Sequence, residues 1–202
     1  ANLSEKEKRI LDEQLENNPA LREGNQRFSF SGNNLGAFEY TIPSRIIDEK
    51  ILNDALDLAY IEHYKDNSLA HGAMPYAYCY GAENSGRSWV KVNAGGNDVL
   101  VMIKNRRDEV IRHVYVKANR GFTLRIPNGH YSVHFYYGKG WNPNKNMKQT
   151  FCGSLKGGFI YFENLSRDPE ELSLYNASMT YTLQTVEGGN FSPVPSSIEQ
   201  AF

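Results

Sequence analysis

The stretch FTLRIPNGHYSVHFYYG, Phe122 to Gly138, carries the reading of the fold. Phe122, Leu124 and Ile126 lie two apart on its first arm, and Tyr131, Val133, Phe135 and Tyr137 lie two apart on its second. A period of two puts each set on one face of a β-strand, whereas a helix would scatter them around its axis. Pro127-Asn128-Gly129 stands between the arms, and Gly129 is expected to supply the positive φ of a tight turn. The stretch predicts a strand, a sharp turn and a returning strand.

The same pattern extends in both directions. YAYCY (Tyr76–Tyr80), SWVKV (Ser88–Val92) and EVIRHVYVK (Glu109–Lys117) read as strands, as do QTFCG (Gln149–Gly153), GGFIYFE (Gly157–Glu163) and SMTYTLQTV (Ser178–Val186). DVLVMIK (Asp98–Lys104) is apolar at every position from Val99 to Ile103, which predicts a central strand buried on both faces. No helical pattern interrupts the series, and parallel crossovers would need about a dozen connecting residues. The expected class is mainly β, an antiparallel β-sandwich over 75–202. The tail GGNFSPVPSSIEQAF is expected to lie along the surface or fray.

Residues 1–74 read as a helical N-terminal segment docked on that body or leading into it. Ser4 and Glu7 fit a capping box ahead of Ile10, Leu11 and Leu15, and Asn18-Pro19 ends that helix. Ser29–Gly36 reads as a loop before a short strand at Phe38–Ile42. A second helix starts at Pro43-Ser44 and runs to about Tyr64–Ser68, with Ile47, Ile51, Ala55, Leu58 and Ala59 on its apolar face. Its acidic face, including Asp57 and Glu62, reads as the solvated side.

Composition removes several functions. The 202 residues are 40% hydrophobic, and 13 tyrosines with 10 phenylalanines favour sheet over helix bundle. The net charge of −1 argues against a nucleic-acid partner, and the one basic run, KNRRDE at Lys104–Glu109, reads as a solvated turn. Two cysteines, Cys79 and Cys152, are compatible with a disulfide if their strands are neighbours, or with a reduced buried pair. No apolar run reaches the ~20 residues that span a bilayer. The chain opens at Ala1-Asn2 without an initiator Met, so a trimmed or mature product is expected, with any export signal or anchor removed upstream.

The IPNGHY turn with its flanking strands resembles the P-x-G-x-Y hairpin of transthyretin-like and carboxypeptidase-regulatory-like β-sandwich modules. More widely, PYAYCYG, DVLVMIK, VIRHVYVKA, IPNGHYSVHFYYGKGWNPNK and the closing NFSPVPSS and EQAF are similar to a family of bacterial envelope-associated β-sandwich proteins with no assigned activity. The resemblance implies a transthyretin/immunoglobulin-like sandwich in the cell envelope or another extracytoplasmic setting, with a membrane anchor upstream. It implies no catalytic residues.

The search for a site begins with histidine. His130 and His134 on one strand stand ~13 Å apart, too far to share an ion, and His113 adds a two-histidine site at most. No metal and no cofactor is expected, and the imidazoles read as exposed or cross-strand paired. Cys79 with His71 upstream, or a carboxylate pair, would serve a hydrolase of glycans or peptides, yet no local signature of such enzymes surrounds them. The loop around GKGWNPNKN is the better candidate: Tyr136, Lys139, Trp141, Asn142 and Asn144 combine rings, amides and charge suited to a protein or carbohydrate ligand. The opposing reading makes Trp141 a plug over the sheet end, and it is the heavier one, because buried tryptophans outnumber ligand-stacking ones. The expected function is a non-enzymatic binding or interaction module of the envelope. A hydrolase or a ligand-free spacer domain is the alternative.

Overall fold

The structure is a computed structural model and describes residues 9, 26–32, 36–42, 49–183 and 193–202, with side chains from Asp57 onward besides Arg9. The helix expected at Ser4–Asn18 lies outside the described residues apart from Arg9, which is helical. Strands β1 (Gln26–Gly32) and β2 (Gly36–Ile42) form an antiparallel hairpin where a loop was expected to begin at Ser29. Helix α1 (Glu49–Tyr64) follows, with Ala59 buried and Leu58, expected on the apolar stripe, half exposed.

The remaining elements make a mainly β body of two antiparallel-rich sheets. They are α2 (Ala77–Tyr80), β3 (Ser88–Ala94), β4 (Asp98–Asn105), β5 (Val110–Val116), β6 (Gly121–Ile126), β7 (Gly129–Thr150), β8 (Gly153–Arg167), β9 (Leu172–Leu174), β10 (Ser178–Leu183), β11 (Val194–Pro195) and α3 (Ile198–Ala201). One sheet has the order β10-β3-β6, with β10 parallel to β3. The other has the order β11-β8-β7-β4-β5, antiparallel throughout, and β9 pairs with the start of β7.

Strand β4 is interior and buried on both faces, as its unbroken apolar run requires. Val99, Val101 and Ile103 share one core with Val90, Val92, Leu124 and Ile126 of the three-stranded sheet. Leu100 and Met102 face the other way, into a second core with Tyr76, Tyr115, Tyr136, Trp141 and Phe159. That second core is covered by chain rather than by another sheet.

The deciding stretch folds differently from the expected hairpin. Its arms, β6 and β7, belong to different sheets, so Pro127-Asn128 is a corner between them. Gly129 has no positive φ. A Cβ there would instead lie 2.8 Å from the Tyr131 hydroxyl, which donates back to the Pro127 carbonyl at 2.8 Å and closes the corner. A side chain at 129 would press on that hydroxyl.

Three other segments depart from their expected form. YAYCY is no strand: Tyr80 and Gly81 amides bond the Tyr76 and Ala77 carbonyls, and the short helix ends at Gly81 with φ 75°. Phe151 and Cys152 of QTFCG form the turn between β7 and β8. The described part of the tail, residues 193–202, is pinned, because β11 pairs with Arg167 and Ser166, a Ser197–Gln200 capping box starts α3, and Ala201 and Phe202 are buried. Cys79 and Cys152 form a disulfide that ties α2 to the β7–β8 turn. Among the described residues no helix is long and apolar enough to cross a membrane.

Candidate functional site

The site is built by the segment that crosses the open face of the large sheet. Asn67 clamps the sheet first, its carbonyl accepting the Trp141 amide at 2.9 Å and its side chain donating to the Trp141 carbonyl at 3.4 Å. Gly72 and Ala73 then exchange backbone bonds with Tyr115, both at 2.8 Å, and so cover the outer edge of β5. Tyr76 is fully buried, with its hydroxyl donating to the Gly157 carbonyl at 2.6 Å and its amide to His113 Nε2 at 3.0 Å.

Between this segment and the β7–β8 hairpin lies an open cleft of about 470 Å³. Leu69, Pro75 and Tyr78 form one wall; Trp141, Pro143, Ser154 and Lys156 form the other. Tyr78 is 58% exposed, yet its hydroxyl is held by the hairpin backbone, accepting the Lys156 amide at 3.0 Å and reaching the Ser154 carbonyl at 3.5 Å. The ring is therefore presented to solvent at a fixed angle. Trp141 is 3% exposed and packs edge-on against Tyr115 and Phe159, so most of the indole is a plug and only its rim reaches the cleft.

A polar network supports the hairpin behind the cleft. Lys145, almost fully buried, reaches Glu163 at 2.5 Å and donates to the Phe159 carbonyl at 2.7 Å. Tyr136 also donates to Glu163 and accepts the Phe159 amide at 3.0 Å. Burial first, and the Glu163 carboxylate second, push the Tyr136 hydroxyl far above its ordinary pKa, so it remains a donor. Asn142 donates to the Tyr60 hydroxyl at 2.8 Å and takes the Asn144 amide at 2.8 Å, tying α1 to the hairpin.

Of the five candidate residues, only Trp141 lines this cleft. Tyr136 and Asn142 lie buried behind it, Asn144 is exposed, and Lys139 is exposed with its ammonium 5.8 Å from the Phe162 ring. Leu69, Pro75, Tyr78, Ser154 and Lys156 were missed. The available signal was the pair of cysteines: bridging them brings Tyr78, beside Cys79, next to Ser154, beside Gly153 and Cys152.

Other polar groups are consumed internally. The disulfide leaves Cys79 without a thiol, and His71 accepts the Lys117 amide at 3.4 Å. His113 and His134 are buried rather than exposed, and desolvation lowers both to a pKa of about 4, with the Lys104 cation adding to the effect at His134. Lys104, expected in a solvated turn, is 1% exposed and donates to the Gln200 carbonyl at 2.7 Å. A second cleft across the disulfide is lined partly by Asp108, Glu109, Lys148 and Phe202, but its charges pair with Lys104, Arg107 and Glu199. Among the described residues no group of three or more His, Cys, Asp or Glu could hold a metal ion. No family model, curated protein or solved structure matches the chain.

Proposed function

We propose that the chain is a non-enzymatic binding module whose recognition surface is the cleft between the 69–78 segment and the β7–β8 hairpin. The observation that carries this reading is Tyr78: a largely exposed ring whose hydroxyl is fixed by two backbone groups of the opposite wall. An immobilised aromatic platform binds without losing side-chain freedom, which is why such rings anchor recognition sites. The two packed sheets are read here as a β-sandwich of transthyretin/immunoglobulin-like character, a scaffold that leaves its loops and covered face free to vary. The Cys79–Cys152 bridge supports an extracytoplasmic, envelope-associated setting, since such bonds persist in oxidising compartments.

The ligand is a protein segment or a carbohydrate, and amide NMR with soluble peptides and oligosaccharides tests this. Shifts centred on Tyr78, Trp141 and Lys156, abolished by Tyr78→Ala, are expected. A ligand that perturbs only other surfaces, or a cleft silent to every compound, would reject the proposal.

A further inference from the structure

We infer that the cleft takes a proline-rich peptide in the polyproline II conformation, flanked by an acidic residue; this rests on the cleft being the binding site. Its walls are mostly apolar, with Pro75 and Pro143 in the lining and the Tyr78 hydroxyl held by the hairpin backbone. A sugar presents hydroxyls around every ring and calls for several planar polar side chains. None of the residues that line the cleft carries a planar amide, carboxylate or guanidinium group, and Asn142, between Trp141 and Pro143, is committed to Tyr60 and to the Asn144 backbone. A prolyl ring needs only flat apolar surface, and stiff polyproline II loses little entropy on docking.

Two polar features select the same ligand. The Trp141 indole N–H has no hydrogen-bond partner among the described residues, and the indole lines the cleft although the side chain is only 3% exposed. A polyproline II chain has no internal hydrogen bonds, so its carbonyls are free to accept that donor. Lys156, exposed beside Tyr78, has no acidic partner among the described residues and would pair with a carboxylate next to the prolines. One turn of polyproline II is three residues and ~9 Å long, and the cleft of about 470 Å³ falls in the usual range of ligand sites, roughly 300–1,000 Å³.

The test uses the Trp89→Phe protein, in which Trp141 is the only indole left of two. Short synthetic proline-rich peptides with acidic or basic flanks, an alanine-substituted control and neutral oligosaccharides are titrated by Trp141 emission and amide NMR. The acid-flanked peptide is expected to saturate and the control to fail. Lys156→Glu should reverse the flank preference several-fold, and Trp141→Phe, read by NMR, should weaken binding about tenfold. Thermal unfolding checks that Trp141→Phe is folded; if it is not, the exposed Lys156→Glu variant still decides. Saturation by an oligosaccharide without any peptide response would overturn the peptide assignment and leave the cleft as the site. No response from Tyr78 or Trp141 to either class would overturn both. An unchanged flank preference in Lys156→Glu would overturn the acidic flank.

Discussion

The large sheet has two faces, and they are built from different chemistry. The face shared with β3, β6 and β10 is mostly aliphatic, with Val90, Val92, Val101, Val114, Val133 and Ile126 in rows. The opposite face is aromatic and polar: Tyr76, Tyr115, Tyr136, Trp141 and Phe159 sit with His113, His134, Lys104 and Lys145. The difference follows from what covers each. A sheet arrives with its backbone groups already paired, so apolar rows suffice. Irregular chain arrives with unpaired amides and carbonyls, and burying these without partners is costly. Side chains of the second core and of the chain that covers it supply those partners: His113 to Tyr76, Lys104 to Gln200, and Tyr80 to Phe202.

The comparison can be broken by truncating one buried side chain on each side. Phe159→Ala should cost about 3–5 kcal/mol in urea unfolding, and Leu124→Ala in the aliphatic core about 2–5 kcal/mol. Phe159→Ala should also lower amide-exchange protection across residues 67–81, because the Tyr115, Tyr136 and Trp141 rings lose their shared neighbour. Equal loss of protection at 67–81 in both variants would mean that the two faces behave as one core.

Acid should act through the second face. His113 has a folded-state pKa of about 4, below its unfolded value of ~6.5. Its contribution is complete above pH ~6.5 and is lost as the unfolded chain takes up the proton first, reaching on the order of 3 kcal/mol near pH 4. Protonation would also remove the acceptor for the Tyr76 amide. His134 shifts in the same direction for the same leading reason, burial. Replacing His113 with Gln should flatten the stability profile between these pH values; an unaltered profile would show that the ring is not neutral when folded.

Lys104→Met sharpens the comparison with a smaller effect. It leaves the Gln200 carbonyl without its buried donor, for about 1–3 kcal/mol. It also removes a cation that depresses His134, so the His134 titration followed by NMR should move upward. A stability change near zero with no movement of that titration would show that Lys104 is dispensable to the covered face.

The legible part of the molecule is the aliphatic core. The apolar run of β4 and the period-two rows of β5 to β7 are local patterns, and they named Val99, Val101, Val133 and Phe135 as interior without any knowledge of partners. The covered face was harder, because its signals look polar. Lys104 sat in a basic run and read as solvated, and its burial follows from the distant carbonyl of Gln200. YAYCY alternates like a strand, but its side chains are claimed by Gly157, Cys152 and Phe202 from three separate places. Tyr78, the key to the proposed site, was hidden for the same reason.

The amino-acid sequence alone determined that the chain is mainly β, that Asp98–Lys104 is buried on both faces, and that Trp141 has the composition around it of either a loop ligand site or a plug. The tertiary structure decided that β6 and β7 diverge into two sheets, that the two cysteines join, and that Tyr78 faces Trp141 across a cleft. The division has one physical cause: side-chain periodicity is a property of neighbouring residues, whereas the partner of a buried amide, carbonyl or cation can lie anywhere in the chain.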